Sequence, residues 1–187
     1  MEQLLLPHLP ESHTLHIALY TNLQNAGFLH TQLLQGNTDF EYAFLDASVL
    51  LSRTHVLSAA WRAINDQRAG RLKTRNVHSE IVFALSANNN IAESFRRHGL
   101  TPATTSLLAI KVAPADQHCS ISTHLAGDIQ GDLLDFTDET LAELRDDARI
   151  KKIYRIPQAV GKDDSGRESW REEVEGGLVG SMVLKGS

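Results

Sequence analysis

The chain is poor in the features that announce chemistry. It has one cysteine, Cys119, so no disulfide framework can form within it, and a reducing compartment fits. No apolar run approaches the roughly 20 residues that a membrane-spanning helix needs, and no membrane partner is expected. Leu4–Leu6 is apolar, but Pro7 and Pro10 follow at once, so the start is not built like a signal peptide. Positive charge is in short supply. Eighteen Lys and Arg stand against 23 Asp and Glu, a formal net charge of −5. A domain dedicated to duplex nucleic acid is usually basic; this balance argues against one but leaves room for a local patch.

Catalytic signatures are missing too. Gly127, Gly131 and Gly176-Gly177 lack the strand–turn–helix setting and the Lys-Ser/Thr pair of a phosphate loop. Ser181 follows Gly180 near the end of an expected strand, with no helix after it to make a nucleophile elbow. The nine histidines form no H-E-x-x-H and no Cys/His quartet, so neither metal nor cofactor is expected. His16 and His30 read as half-buried structural residues. His118 and Cys119 are neighbours on an expected strand, where adjacent side chains point to opposite faces, so they form no dyad. Asp146-Asp147, with Asp138 and Glu139, reads as a solvated helix face. Glu80 lies near Thr74-Arg75-Asn76 and suits a cap or clamp, bonding back to the loop or pairing with Arg75, rather than a general acid. No catalytic residue is named, and the chain is not expected to be an enzyme.

What is present is a scaffold. A chain of 187 residues is by default one domain with a real core, and 42% apolar content is ordinary. Thr14–Tyr20 alternates Leu15, Ile17 and Leu19 against His16, Ala18 and Tyr20, a strand with an apolar face. Asn22 suits an N-cap for a helix carrying Leu23, Ala26, His30 and Leu33, ended by Gly36-Asn37. Phe40–Leu45 reads as a second strand. Asp46 caps a long helix to about Asn65, with Leu50, Leu57, Trp61 and Ile64 as core face, widened by Val49, Val56 and Ala60. Arg71–Gly99 holds two short helices around a polar break. Val77, Ile81, Ala84 and Leu85 line the first; Ile91 and Phe95 lie on the second, which stops at Gly99, where a positive φ costs little.

The second half continues the sheet. Ser106–Val112 is nearly all apolar and is expected as the central strand, covered on both faces. Ser120–Leu125 alternates and is expected as its antiparallel partner, since the two runs sit too close for a helical crossover. Thr137 caps a helix burying Leu141, Leu144 and Ala148. Ile150–Ile156 suits a helical turn or a short 3₁₀ segment. Gln158–Glu173 is polar and reads as a flexible insertion, and Gly177–Leu184 as a last strand. The expected architecture is α/β: a single domain over residues 1–187, with a mixed, mostly antiparallel sheet packed with helices.

Lys73, Arg75, Arg96, Arg97, Lys151, Lys152 and Arg155 are a large share of the cationic residues. Clustered, they would suit single-stranded or end-bound RNA; unclustered, they are a solvated face. Asn88-Asn89-Asn90 either caps the second helix or helps a loop meet a partner. Phe95 suits the core more readily than an interface.

The run Lys73-Thr74-Arg75-Asn76-Val77-His78-Ser79-Glu80-Ile81, then Leu85-Ser86, Asn88-Asn89-Asn90-Ile91-Ala92-Glu93, Gly99 and Leu107–Val112, resembles the Cgi121/TPRKB family. Ile150-Lys151-Lys152-Ile153-Tyr154, Asn25-Ala26-Gly27 and the end from Gly177 to Lys185 extend the resemblance over most of the chain. The polar Gly161–Glu173 stretch and Ala92 depart from it, and the former points to a fungal member. The resemblance implies a non-catalytic subunit of the KEOPS (EKC) complex, which makes N6-threonylcarbamoyladenosine at position 37 of tRNA. It implies direct binding to a Bud32/PRPK-type kinase, indirect association with a Kae1-type transferase and other subunits, and recruitment of tRNA by its 3′ CCA end. It also implies residence in nucleus and cytoplasm, with links to telomeres and transcription. On this reading tRNA meets Lys73, Arg75, Arg96, Arg97, Lys151, Lys152 and Asn89, and the kinase meets Ile91, Phe95 and Leu100. The alternative is a purely structural kinase-binding adaptor with no RNA contact.

Overall fold

A computed structural model describes residues 1–155 and 169–184. In chain order the elements are β1 (Glu2–Leu4), β2 (Thr14–Thr21), α1 (Ala26–Gln35), β3 (Ala43–Asp46), α2 (Arg53–Arg68), α3 (Val77–Ala84) and α4 (Ile91–His98). Then follow β4 (Leu107–Ala113), α5 (His118–Asp128), β5 (Asp132–Leu134), α6 (Asp138–Leu144), α7 (Asp147–Tyr154) and α8 (Ser169–Leu184).

The sheet is built on β2 and β4, antiparallel from Thr14↔Ala113 to Tyr20↔Leu107. β3 pairs with the far edge of β4. The other edge of β2 takes β1 near its start and β5 near its end, both antiparallel. Alternation then divides the core. Leu15, Ile17, Leu19, Leu108 and Ile110 face a cluster that includes Val56, Ala60 and Ile64 of α2 and Ile81 of α3. Ala18, Tyr20, Leu107 and Ala109 face Leu29 of α1 and Leu125 of α5. The expected antiparallel sheet, with β4 covered on both faces, is present.

Three elements differ from the sequence reading. Ser120–Leu125 is not a strand but the middle of α5. Its period-two alternation is real, yet only Ile121 and Leu125, four apart, are buried, while Thr123 is exposed. The helix makes the crossover that proximity was thought to exclude, because β4 and β5 lie on opposite edges of β2. β2–α1–β3 mirrors it, with β4 lying between its two strands, so both crossovers are split βαβ units. Gly177–Leu184 is also helical. Val174, Leu178 and Met182 repeat every fourth residue, and the last two are buried against Leu51, Ile150 and the α2 side of the core. Gly176, Gly177 and Gly180 are exposed, so tertiary packing of the opposite stripe outweighs their poor helix propensity. Finally, Asp46 caps only a 3₁₀ turn, Ala47–Val49; α2 starts later, with Ser52 Oγ accepting from His55 N–H at 3.0 Å.

Smaller shifts follow the same logic. Phe40 closes a 3₁₀ turn, and the strand begins at Ala43. Asn22 is no cap; it adopts φ +52 and donates to Asp132. The helix after Thr137 breaks at Arg145, leaving Ala148 exposed on α7. Gly99 has φ −76 rather than a positive φ; glycine is needed because a Cβ there would stand 2.7 Å from Phe95 O. Residues 169–173 of the expected insertion belong to α8, and 158–168 lie outside the described residues.

Candidate functional site

The stretch before α3 is pinned by one carboxylate. Glu80 is only 3% exposed, and its Oε2 accepts from Lys73 N at 3.0 Å, Thr74 N at 2.8 Å and Thr74 Oγ1 at 2.6 Å. This is the clamp expected from its position; Arg75 pairs instead with Glu41, at 3.5 Å. Asn76 caps α3 by accepting from Ser79 N–H.

The break after α3 is a relay of caps. Ser86 Oγ accepts from Asn88 N–H, Asn88 Oδ1 from Asn90 N–H, and Asn90 Oδ1 from Glu93 N–H at the start of α4. Asn89 is exposed. At the other end of α4, Arg96 and Arg97 both pair with Glu93. Burial tends to raise the Glu93 pKa, but the two guanidiniums outweigh it and hold the carboxyl below its usual range. Arg97 Nη1 also donates to Ile153 O at 3.2 Å, tying α4 to α7.

Beneath this junction lies a buried polar chain. His98 Nδ1 faces the carbonyl of Ser94 at 3.3 Å, and a carbonyl only accepts, so that nitrogen carries the proton. His98 Nε2 therefore accepts from Tyr154 Oη, at 2.9 Å. By the same rule His55 Nε2 carries its proton, facing Leu85 O at 3.4 Å and Tyr154 Oη at 3.3 Å. Burial pushes the His55 pKa down to about 4 and the Tyr154 phenol well above its ordinary value. His55 is thus a neutral donor at physiological pH, and the chain fixes α7 against α2 and α4.

Over Tyr154 opens a cleft of about 520 Å³. Its walls include Asn88, Arg97, Ile153, Arg155 and, from α8, Leu178 and Ser181. Arg155 caps α7 in the left-handed conformation, φ +55, its N–H donating to Lys151 O. Lys151 and Lys152 occupy the same last turn. Cationic heads, amide and hydroxyl groups and apolar walls thus share one opening.

The structure sorts the residues named from sequence into two groups. Arg96, Arg97, Lys151, Lys152 and Asn89 lie on the segments around this cleft. Lys73 and Arg75 precede the opposite end of α3, which at eight residues is roughly 12 Å long. Ile91 and Phe95 are exposed at 39% and 37%, whereas Leu100 is 5% exposed and packs in the α1/α5-side cluster. Leu100 therefore offers no side-chain surface to a partner. Sequence reasoning missed Tyr154, His98 and the α8 wall; the fourfold spacing of Val174, Leu178 and Met182 was the available signal.

A second opening, of about 790 Å³, runs between the N-terminal segment, α2 and α8. Leu6, Leu57, Val179 and Met182 line it with Trp61, which was assigned to the core but is 44% exposed. Its rim is charged: Asp66 sits between Arg62, at 3.4 Å, and Arg71, at 3.1 Å. Among the described residues no group of three or more His, Cys, Asp or Glu could hold a metal ion.

The model of the family "Kinase binding protein CGI-121" matches residues 20–186. The chain belongs to this family. Relatives agree along nearly the whole length. An EKC/KEOPS complex subunit of Aspergillus fumigatus is 50% identical over 189 residues, spanning 100% of this chain and 97% of its own. The counterpart in Coccidioides immitis is 50% identical over 182 residues, covering 96% of this chain and 86% of its own. That of Schizosaccharomyces pombe is 32% identical over 153 residues, covering 82% and 87%.

Proposed function

We propose that the chain is an EKC/KEOPS-type subunit that docks a Bud32/PRPK-type kinase through the α2–α8 groove. In the same reading it holds the single-stranded 3′ end of tRNA in the cleft between α4 and α7. The observation that carries the RNA half is the joining of Arg97 and Arg155 to apolar walls above Tyr154. Unpaired nucleotides are bound by this combination: guanidiniums meet phosphates or stack on bases, apolar and aromatic faces receive the rings, and amide and hydroxyl groups read base edges. Asn88 and Ser181, which line the same cleft, would take the last role. Ile91 and Phe95, exposed on the helix that carries Arg96 and Arg97, extend the platform.

The groove suits a protein better than an RNA. It has an aromatic anchor, Trp61, above aliphatic side chains, and a charged rim, the anatomy of a protein interface with a central hot spot. A kinase seated there leaves the cleft open to tRNA. A second reading puts the kinase on α4, where Ile91 and Phe95 are exposed. Catalysis in this account belongs to the Kae1-type transferase, which the kinase connects to this chain.

Binding to tRNA with and without its CCA end, read by fluorescence anisotropy beside a kinase pull-down, tests both halves. R96E/R97E is expected to weaken tRNA binding by about tenfold or more, with a shallower salt dependence, and to leave kinase capture unchanged. W61E is expected to do the reverse. Unchanged tRNA binding in R96E/R97E would exclude the cleft. Loss of kinase capture in I91S/F95S but not in W61E would move the kinase to α4.

A further inference from the structure

Among the described elements, α8 alone borders both openings. Val174, Gly177, Leu178 and Ser181 wall the cleft, and Val179 and Met182 wall the groove. The side chains that hold α8 down belong to the same two walls. Leu178 packs with Leu51, just before α2, and with Ile150 of α7; Val174 and Tyr154 pack against the same small cluster. Met182 joins the larger cluster on the α2 side of the sheet. A partner in either opening therefore rests on side chains whose places depend on α8 being seated.

The seat is light. Of the α8 side chains described, only Leu178 and Met182 are buried. α3, with eight residues, buries Val77, Ile81, Val82, Phe83 and Ala84. Ser52, the cap of α2, adds one tie by donating its Oγ–H to Glu175 Oε1 at 2.6 Å. Gly176 and Gly180 are exposed, and a Cβ at either would meet open space. Neither glycine is needed for packing, so each lowers helix stability with no packing gain, by about fivefold in the helix–coil equilibrium relative to alanine. Ser181 Oγ donates to Gly177 O, a back-bond that weakens a helix slightly. A 16-residue helix with these residues is marginal in water without its packing. Elements with few buried apolar contacts are those that open short of global unfolding.

We propose that α8 couples the two openings: it exchanges between a seated helix and a released segment, and a partner on either side selects the seated state and so strengthens binding on the other. The inference rests on the cleft and groove assignments made above. It requires no contact between the partners. Neither partner has its full wall when α8 is released, so each shifts the same equilibrium. The largest coupling this allows is the reciprocal of the seated fraction in the free chain.

The test begins with hydrogen exchange of the full chain, read by mass spectrometry. The amides of residues 174–182 are expected to exchange through an opening that leaves α2 and β4 protected. They are expected to slow when either the kinase or a single-stranded RNA ending in CCA is added. G176A/G180A, at positions that line neither opening, is expected to slow the same exchange in the free chain by about tenfold or more. Anisotropy then gives the affinity for that RNA with and without saturating kinase. The kinase is expected to tighten RNA binding severalfold in the native chain, and less in G176A/G180A, which binds the RNA more tightly on its own. W61E and R96E/R97E change the affinities themselves and so report on the surface assignments. G176A/G180A changes the ratio with and without the other partner and so reports on α8. Exchange of α8 only through global unfolding, or a kinase effect on RNA binding that G176A/G180A leaves unaltered, would overturn the proposal.

Discussion

The two ends of α3 use similar charge in opposite ways. At the start, the chain closes on itself: Glu80 reaches back over seven residues to hold Lys73 and Thr74 by three bonds, and Asn76 caps the helix. At the finish, the chain opens: Arg97 reaches Ile153 across 56 residues, and Tyr154 bridges His55 and His98 beneath a cleft. Short-range bonds make a closed corner. Long-range bonds make walls from separate helices, which can be altered singly. If the cleft receives RNA as proposed, substitution at the closed end should act mainly on stability and substitution at the open end mainly on binding.

Acid should break both ends together and produce the largest effect. Burial is the main cause that lowers the His55 pKa to about 4 and the His78 pKa to about 3, with Lys111 adding to the second. The unfolded chain, with ordinary values near 6.5, takes up protons first as pH falls. The stability these rings contribute is full above that value and is lost as pH falls towards the folded values. Each costs about 1.4 kcal/mol per pH unit inside its window. Urea midpoints measured from pH 7 to pH 4 should fall steeply, and a flat profile would contradict the neutral assignments.

Substitution then separates the ends. E80A leaves the amides of Lys73 and Thr74 without their acceptor and should cost about 3 kcal/mol in urea unfolding, with the loss smaller in E80Q. A cost below about 0.5 kcal/mol, the level of an ordinary surface change, would mean that the clamp is dispensable. R155G acts in the other direction. It relieves a left-handed conformation that a non-glycine residue adopts at a cost, so it should leave stability unchanged or raise it by about 1 kcal/mol. The same change removes a guanidinium from the cleft and should weaken tRNA binding. Equal losses in folding and binding would make Arg155 structural.

This contrast also explains what was legible in the sequence. The Glu80 clamp and the α3–α4 break were readable because each joins residues within one short stretch. The central strand was readable because β4 is apolar at nearly every position. The cleft was not readable, since its walls come from α4, α7 and α8, and α8 was taken for a strand on the composition of Gly177–Leu184. The fourfold spacing that decided otherwise begins at Val174, outside the window that looked like a strand. α5 was misread for a related reason: alternation over six residues satisfies both periods, and only the crossover between β4 and β5 selects the helix. Trp61 was given to the core by its place on α2, but exposure of one side chain at a helix edge depends on the neighbouring N-terminal segment and α8.

The central claim is that the 3′ end of tRNA enters the α4–α7 cleft. A tRNA carrying a photoreactive group on its terminal nucleotide, crosslinked to the protein and mapped by mass spectrometry, tests it most directly. The account expects crosslinks on residues 86–91, 153–155 and 174–181, abolished by R96E/R97E. Crosslinks confined to α1 and α5, on the opposite face of the sheet, would contradict it.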